Sequence, residues 1–489
     1  MGKIASIAAA SKSLRELLSG VRIRKQSGES RVNVKKIVFD SREVELGSLF
    51  VAIPGTKIDG HQYIGTVIAK GAVAIVGERA DLSIPTSVAH IVVEDSRRAL
   101  AELACSFYNF PTQDLFTVGV TGTNGKTSIT FLSQSVLGLE KTAISNTVVN
   151  ALQHGIDYTT PNALDLQRFA HEACIQHKEN FVIEVSAHAL SQERVHGIDF
   201  DVAIFTNLTQ DHFDYYASFE PYLHAKLRLF QSLKKNATAL INHDDPYSKH
   251  FVKSTKAQIL GYGLKPSYDV WADEIQMSAE GNRFVAHTPI GQIPIRSALP
   301  GEFYVYNILA AIGVGLVKEI PLDEIKAGIE RVTHIEGRFE RYKTRAGVSV
   351  VIDFAHSPDS LEKMIRTLKK FYPRVLTVFG CGGESDPYKR PIMGELSGRF
   401  ADFTIITSDN PKHEDPEFIV HQIEAGIAKT NAGYEAIVDR PKALLRALEL
   451  AKPGDCVLIA GKGHERTQIF SDREIAFNDR EFLRARGII

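Results

Sequence analysis

A glycine-rich turn that ends in Lys-Thr is the pattern in this sequence with the clearest chemistry. The run TGTNGKTS at 121–128 follows a short β-branched stretch, 115–120, and precedes helix-like apolar spacing over 129–137. A strand, a glycine turn and a helix start turn backbone N–H groups and the positive helix end toward an anion. Lys126 would add a point charge, and Thr127 a hydroxyl for Mg²⁺. The sequence predicts a nucleotide-binding loop, shortened relative to the strict Walker pattern.

Two further strand patterns end in side chains that suit a divalent cation. Residues 181–184 predict a buried strand that ends on Glu184. Residues 202–207 predict a second such strand, which is followed by Asp211 and His212. Because open α/β sheets place ligands at the carboxyl ends of strands, we expect these groups at one edge. Oxygen ligands with an imidazole could hold Mg²⁺ near the phosphates. A structural hydrogen bond is the alternative role for the histidine, and it stays open.

The elements that must position these residues divide the chain into three α/β domains. Residues 1–110 predict a small N-terminal α/β domain, and 111–341 a central P-loop-like domain with a mostly parallel sheet. Residues 342–489 alternate regularly between strand and helix, which indicates a dinucleotide-fold-like, doubly wound domain. Polar residues follow four of its strands and are expected at one rim: 353–356, 380–383, 408–412 and 461–465.

Composition excludes several classes of function. The chain has 489 residues and a formal net charge of −1, so no basic field indicates nucleic acid. Its four cysteines form no C-x-x-C pair and suit free thiols in a reducing compartment. There is no signal-peptide pattern and no run of 18 apolar residues. We therefore expect a cytoplasmic enzyme that neither inserts into membranes nor binds nucleic acid.

Residue chemistry alone assigns no role to two other features. The polar turns 40–42 and 59–61 of the N-terminal domain fit turn preferences at least as well as a ligand site. Lys226 lies in a helical pattern over 221–233, and its spacing predicts a solvated face.

The motifs together resemble the Mur ligases, the ATP-dependent enzymes of peptidoglycan precursor synthesis, over essentially the whole chain. The motifs that carry the resemblance, in order, are TGTNGKT (121–127), EVSAHAL (184–190), TNLTQDHFDYY (206–216), HAKLRLF (224–230), EGRFE (336–340), DFAHSPDSL (353–361), DNPKHEDP (409–416) and GKGHE (461–465). The N-terminal run 39–61, with the last two motifs, resembles the class that adds the third residue of the stem peptide.

The resemblance implies an acid–amino-acid ligase that uses ATP and Mg²⁺. A UDP-muramoyl dipeptide would be activated at its D-glutamyl carboxylate as an acyl phosphate, and the amine of a diamino acid would then displace phosphate. It also implies a cytoplasmic enzyme of cell-wall synthesis, and we expect a monomer. Alternatives are a folylpolyglutamate- or cyanophycin-type ligase, or a non-catalytic nucleotide-dependent partner protein; the N-terminal domain and the catalytic set argue against them.

The resemblance also implies a role for each matching residue. Catalytic residues would be Lys126, Glu184, His212 and Lys226, the last as a carbamate. Metal ligands would be Thr127, Glu184, His212 and Lys226. ATP contacts would come from Gly122, Thr123, Asn124, Gly125, Lys126, Thr127, Ser128, Asn307, Arg338, Asp353 and His356. The UDP substrate would meet Ser41, Thr56, Lys57, Thr159, Thr160, Ser186 and Arg194. The amino acid would meet Asn410, Lys412, Gly461 and Glu465.

Three positions depart from the family pattern. Lys412 and Ser385 stand where enzymes that use meso-diaminopimelate usually carry arginine, and a lysine lacks the bidentate fork for a carboxylate. Tyr304 stands where the family often has asparagine. Since Asn410 and Glu465 remain, we predict meso-diaminopimelate as the amino acid, with L-lysine or another diamine as the alternative.

Overall fold

The computed structural model describes residues 11–55, 58–156, 158–211, 215–216 and 218–489. The chain forms two compact units. The first contains the described residues up to Gly119 with 140–145 and 158–201, and the second contains 120–139, 146–156 and the described residues from Val202 to Ile489. Thr56, Lys57 and His212, which were assigned to the substrate and metal sites, lie outside the described residues.

A five-stranded sheet forms the N-terminal part of the first unit. Its spatial order is Ile23–Ser27, Ala89–Val93, Ala74–Gly77, Ser48–Val51 and Lys36–Val38. Only the first of these strands runs antiparallel to its neighbour. Its smaller elements are the paired strands Lys12–Ser13 and Asn33–Val34 and the helices Leu14–Leu17, Ile64–Ala69 and Ser96–Phe107. Leu17, Val76 and Leu103, all fully buried, lie in its core.

A parallel strand pair completes the first unit. Thr142–Ser145 pairs with Asn180–Glu184, whose five residues are all buried. Strand Phe116–Thr121 begins beside them, where the Phe116 N–H donates to the Glu179 carbonyl. The two helices of this region are Ala163–Ile175 and Ala187–Ser191.

Six strands in the second unit form the sheet beside the glycine-rich loop. Their order is Gly291–Ser297, Gly281–Thr288, Val270–Ser278, Gln258–Gly263, Thr238–Asn242 and Val202–Phe205. The last four are parallel and the first two form antiparallel hairpins. The helices of this region are Lys126–Leu137, Thr147–His154, Phe219–Gln231, Ser248–Ser254, Glu302–Val317 and Leu322–Arg331.

The C-terminal sheet also lies in the second unit and has six strands. Their order is Glu340–Lys343, Ser349–Asp353, Cys456–Ala460, Val375–Phe379, Phe403–Ile406 and Tyr434–Ala436. All neighbours are parallel except the first pair. The remaining elements are helices Pro358–Lys369, Lys389–Phe400, Pro416–Ile427, Arg440–Leu450 and Asp479–Ala485, and the hairpin of Thr467–Ile469 with Glu474–Ala476.

These sheets confirm the predicted fold class of three α/β parts with a doubly wound C-terminal sheet. Strand Glu340–Lys343 spans the predicted boundary at 341 and was not expected from its sequence. The helix predicted over 129–137 begins earlier, at Lys126, because Gly125 starts it from a left-handed backbone conformation. Among the described residues, none of the helices combines the length and apolar character needed to cross a membrane.

A fully buried ion pair lies in the C-terminal domain beside the ends of its strands. Arg440 binds the Asp479 carboxylate at 2.7 and 2.8 Å, and it also donates to the carbonyls of Ser408 and Ala460. Both side chains are 0% exposed. The pair therefore ties helix Asp479–Ala485 to the ends of two strands.

Removing one partner of this pair should destabilise the protein strongly. Asp479→Asn leaves a buried guanidinium without its counter-charge, and we expect a loss of about 3 kcal/mol in the free energy of unfolding. Urea denaturation measures it. Asp472→Asn, which disrupts an exposed pair with Arg473, is the control and should change nothing measurable. Equal free energies of unfolding for the two variants would show that the buried pair does not contribute the expected stability.

Candidate active site

Two glycines shape the loop between strand Phe116–Thr121 and helix Lys126–Leu137. Gly122 has a φ of +147°, and a Cβ there would lie 1.9 Å from the Thr206 hydroxyl oxygen. Gly125 has a φ of +88°, and its Cβ would lie 2.6 Å from Asn307 Oδ1. Any side chain at either position would meet both backbone strain and a collision, so the sequence pattern follows from the geometry.

Two lysines converge on this loop. Lys126 Nζ donates to the carbonyls of Gly122 and Thr123 at 3.2 and 2.7 Å, and Lys226 Nζ donates to the same Gly122 carbonyl at 2.8 Å. Lys226 is 1% exposed, with its ammonium 4.5 Å from the centre of the Tyr222 ring. The solvated face predicted from spacing is therefore wrong, because helix Phe219–Gln231 buries that face. Two cations at a helix start provide a site for a multiply charged anion.

Residues after strand Val202–Phe205 hold the loop in place. The Asn124 N–H donates to Asn207 Oδ1 at 3.0 Å, and the Asn124 carbonyl accepts from Thr206 Oγ1 and Asn207 Nδ2. The Asn124 side chain donates to the Asp359 carboxylate at 2.8 Å, near the start of helix Pro358–Lys369. The loop is thus connected directly to the C-terminal domain, a contact that the sequence did not suggest.

Arg338 lies beside the first turn of the loop helix. Its guanidinium donates to Thr127 Oγ1 at 3.1 Å and stacks 4.5 Å from the centre of the Phe354 ring. Ser128 and Tyr304 lie in the same region, where the buried Tyr304 hydroxyl approaches the Arg338 carbonyl. Arg338 is therefore a third cation at this loop, and it contacts Thr127, the side chain that is predicted to bind Mg²⁺.

Asp353 and His356 flank that guanidinium. The Asp353 carboxylate accepts from the N–H groups of Phe339 and Ala355 at 2.7 and 2.8 Å, and burial raises its pKa to about 6. His356 Nδ1 lies 2.8 Å from the Phe354 carbonyl, and burial lowers the pKa of this imidazole. With Nδ1–H bound to a carbonyl, the neutral ring presents Nε2 without a proton, so it would donate to a phosphate only when protonated.

The turn 461–465 packs against residues 337–354 through Gly461, Gly463 and His464. The Gly461 N–H donates to the Asp353 carbonyl at 3.1 Å, and a Cβ on Gly463 would lie 2.8 Å from the Gly337 carbonyl oxygen. The His464 ring lies 5.1 Å from the Phe354 ring, and burial beside Arg338 lowers the pKa of His464 to about 3. His464 is therefore neutral at physiological pH.

The other side of the same turn builds a polar group with Asn410. Asn410 Nδ2 donates to Glu465 Oε2 at 2.8 Å, and Lys462 Nζ donates to the same oxygen at 2.9 Å. Lys462 was missed because only Gly461 and Glu465 of the GKGHE motif were assigned; a lysine between two glycines at a strand end was the available signal. The structure thus brings the predicted amino-acid residues Asn410, Gly461 and Glu465 together.

Two of the three positions that depart from the pattern of the resembled family, Lys412 and Ser385, lie near this polar group. Lys412 has a left-handed φ of +54°, and its N–H donates to the Ile469 carbonyl at 2.9 Å. Within the described part of the chain, its ammonium has neither a hydrogen-bond nor an ion-pair partner. Ser385 Oγ donates to the Gly382 carbonyl at 2.8 Å, so this residue closes its own turn.

In the first unit, four of the predicted substrate residues lie together. Thr160 Oγ1 donates to the Glu184 carbonyl at 2.7 Å and accepts from the Ser186 N–H at 2.9 Å. Arg194 donates to the Thr160 carbonyl at 2.7 Å, and its guanidinium lies 5.0 Å from the centre of the exposed Tyr158 ring. Thr159 adjoins this group in sequence. Ser41 belongs to the five-stranded domain, where its carbonyl accepts from Lys70 Nζ at 2.8 Å.

The residues that the structure describes do not form a complete cation site. Among the residues it describes, which omit His212, no three His, Cys, Asp or Glu side chains form a metal-binding group. Glu184 and Asp211 are buried carboxylates, at 3% and 8% exposure. The predicted set of Thr127, Glu184, His212 and Lys226 stays a prediction.

Three family models together match most of the chain. They are described as Mur ligase family, catalytic domain, at 33–108; Mur ligase middle domain, at 120–315; and Mur ligase, glutamate ligase domain, at 337–463.

Individual relatives extend that match to nearly the full length. A UDP-N-acetylmuramoyl-L-alanyl-D-glutamate--2,6-diaminopimelate ligase of Caldanaerobacter subterraneus is 41% identical, covering 96% of this chain and 98% of the relative. Its namesake from Geobacillus kaustophilus is 42% identical over 93% and 94% of the two chains. A solved structure with the same ligase name is 31% identical with a TM-score of 0.67, and the match covers 97% and 98%. These matches confirm the resemblance: the chain belongs to the Mur ligase family of ligases.

Proposed function

We propose that this protein uses ATP to join a diamino acid, meso-diaminopimelate, to the D-glutamyl carboxylate of UDP-N-acetylmuramoyl-L-alanyl-D-glutamate. The observation that carries the proposal is the convergence of Lys126 and Lys226 on the Gly122 carbonyl of the glycine-rich loop. The names of relatives at 41% and 42% identity support this substrate. The reaction would supply the third residue of the stem peptide, in the cytoplasm, from a monomeric enzyme.

The first step is phosphoryl transfer from ATP to the substrate carboxylate. Both reactants are anionic, so their approach is opposed by charge repulsion that the loop must offset. Lys126 would bind the transferring phosphoryl group, and Arg338, which contacts Thr127, would lie near the nucleotide. Backbone N–H groups of the loop would complete the phosphate cradle. A carboxylate oxygen would form a bond to the γ-phosphorus as its bond to the β,γ-bridging oxygen breaks, which gives an acyl phosphate and ADP.

Four residues of this chain would hold Mg²⁺ in the proposed reaction, three through oxygen and one through nitrogen. Thr127 offers a hydroxyl, Glu184 a carboxylate and His212 an imidazole, and Lys226 would contribute as a carbamate. The carbamate nitrogen keeps one N–H, so the bond from Lys226 to the Gly122 carbonyl at 2.8 Å can persist. Bound there, the cation would neutralise charge on the phosphoryl oxygens.

The second step is attack of an amine on the acyl carbon. Asn410 and Glu465 present an amide donor and a carboxylate acceptor from one bonded pair, which complements the carboxylate and ammonium of an amino-acid group. The buried turn 461–465 would exclude water from the acyl phosphate. In the first unit, Thr160, Ser186 and Arg194 would hold the substrate's peptide, with Thr159 beside them. Ser41, with Thr56 and Lys57, would hold its uridine diphosphate.

Phosphate release with a panel of amino acids tests this proposal. Purified protein with ATP, Mg²⁺ and the UDP-muramoyl dipeptide should release phosphate and form the tripeptide product only when meso-diaminopimelate is added. Turnover with L-lysine but not meso-diaminopimelate would assign the alternative substrate. Turnover with a folate and glutamate, but not with the muramoyl dipeptide, would refute the proposed function.

L-Lysine is kept as the second candidate because of two observed side chains. Ser385 closes its own turn, and Lys412 offers a single ammonium instead of a guanidinium fork. L-Lysine lacks the second carboxylate for which such cations are used.

Lys412→Arg separates these two substrates. If Lys412 binds the second carboxylate of meso-diaminopimelate, the arginine variant should lower the KM for this substrate about threefold to tenfold, because a bidentate pair is stronger than a point contact. The KM for ATP should not change. Initial rates with meso-diaminopimelate varied at saturating ATP, and with ATP varied at saturating meso-diaminopimelate, measure the two constants. An arginine variant with an unaltered KM for meso-diaminopimelate would exclude Lys412 from carboxylate binding.

A further inference from the structure

We propose that Lys462 is a positioning residue that sets the orientation of Asn410 and Glu465 for the incoming amino acid. The inference rests on the proposed function, since it assigns a role inside the proposed amino-acid site. Lys462 itself is too deeply buried to meet a substrate: its side chain is 0% exposed. It would act only through the two residues that it holds.

The Lys462 ammonium donates all three of its N–H groups to acceptors around this site. Nζ donates to Glu465 Oε2 at 2.9 Å, to Asn410 Oδ1 at 3.1 Å and to the Thr467 carbonyl at 2.7 Å. Asp409 Oδ1 lies 4.0 Å away. A buried ammonium with three acceptors has a single favourable position. The lysine therefore joins the loop after strand Phe403–Ile406 to the turn after strand Cys456–Ala460.

This arrangement determines which way the Asn410 amide points. Oδ1 accepts from Lys462 Nζ and also from the Ile469 N–H at 3.1 Å. A flipped amide would place its NH₂ group against two donors, so Nδ2 must point toward Glu465, where it donates at 2.8 Å. The second N–H of Nδ2 has no acceptor among the residues that the structure describes, so it is available to a ligand.

Glu465 is fixed in the same way, with one oxygen used and one left over. Oε2 accepts from both Asn410 and Lys462, while Oε1 has no hydrogen-bond partner among the residues described. The side chain is 33% exposed. The pair thus offers one donor and one acceptor side by side, both aimed by a cation that no solvent reaches.

The charges around Glu465 make its protonation sensitive to Lys462. Burial and the nearby Asp409 raise the pKa of Glu465, whereas Lys462 and the Asn410 amide oppose that rise. The buried Arg440, which is paired with Asp479, also faces Glu465. Loss of Lys462 should therefore raise the pKa of Glu465 further, and the carboxylate would be lost at a higher pH.

Lys462→Met tests the inference in the full-length enzyme. We expect the KM for the diamino acid to rise about tenfold to a hundredfold, the worth of hydrogen bonds to a charged group. The acidic limb of kcat/KM for the diamino acid should move to higher pH, while the KM values for ATP and the muramoyl dipeptide stay within about twofold. Lys369→Met, which removes an ion pair with Asp402 in the same domain, is the matched control and should change none of these constants.

Equal increases in the KM for ATP and for the diamino acid would overturn the inference, since they would indicate a general loss of structure. An unshifted acidic limb with an unchanged KM would overturn it as well. Lys462→Gln, which keeps one donor without the charge, provides the same test if the methionine variant does not fold. Added to Asn410→Ala/Glu465→Gln, Lys462→Met should have no further effect on the KM for the diamino acid, and a further tenfold increase would contradict a role through these residues.

If wild-type protein shows no ATP-dependent turnover with any diamino acid, the proposed function fails. The inference about Lys462 fails separately, in an active wild-type enzyme whose Lys462 variants bind the diamino acid normally.

Discussion

Turnover of the Lys126→Ala enzyme is expected to fall about a thousandfold, with the protein still folded. Lys126 is the only lysine of the glycine-rich loop, and it is the first residue of the helix whose positive end faces the proposed phosphate site. Its charge would be most useful when negative charge accumulates on the transferring phosphoryl group, so the loss should appear in kcat. Phosphate release at saturating substrates measures it.

A lysine outside the site controls for the loss of a positive charge. Lys141 forms an exposed ion pair with Glu179, and Lys141→Ala should retain full turnover. Binding of a non-hydrolysable ATP analogue to the Lys126 variant, measured by calorimetry, should weaken while the melting temperature holds. If the variant keeps a tenth or more of wild-type turnover, Lys126 does not stabilise the transferring group.

Lys226→Met is expected to lower kcat about a hundredfold, and the wild-type residue is expected to carry a carbamate. Lys226 is 1% exposed and donates to the same Gly122 carbonyl as Lys126. Burying an ammonium group is costly in free energy. A carbamate is an anion, so the cations proposed around it would stabilise it. Incubation with ¹³C-bicarbonate should give a carbamate carbon signal that is absent from the methionine variant.

The exposed Lys235, after the end of the same helix, serves as the control, and Lys235→Met should change neither kcat nor the carbon signal. Wild-type protein without a carbamate signal at saturating bicarbonate would refute the modification. Normal turnover of the Lys226 variant would refute the catalytic role, whatever the state of the side chain.

The local part of the site could be predicted from the sequence because its signals are contiguous. The strand, the two glycines and Lys126 follow one another within a dozen residues, and their backbone conformations follow from residue type. The strand ends of the C-terminal sheet could be located for the same reason, since each polar cluster follows its own apolar run.

Contacts between distant segments could not be predicted in this way. The burial of Lys226 depends on what covers its helix, and spacing alone suggested the opposite. Asn124 meets Asp359 across 235 residues, and Arg338 meets Thr127 across 211. Lys462 was passed over because its role depends on where the Asn410 amide lies.

The turn at 461–465 has a consequence for inhibitor design. Its residues contact two different neighbours: Gly463 and His464 pack on Gly337 and Phe354, whereas Lys462 and Glu465, on either side of them, hold Asn410. A compound that displaced the backbone of this turn would disturb its contacts with Gly337 and Phe354 and its contact with Asn410 at once. If the proposed function holds, a substitution in the turn that weakened such a compound should also weaken binding of ATP and of the amino acid, so resistance should arise elsewhere.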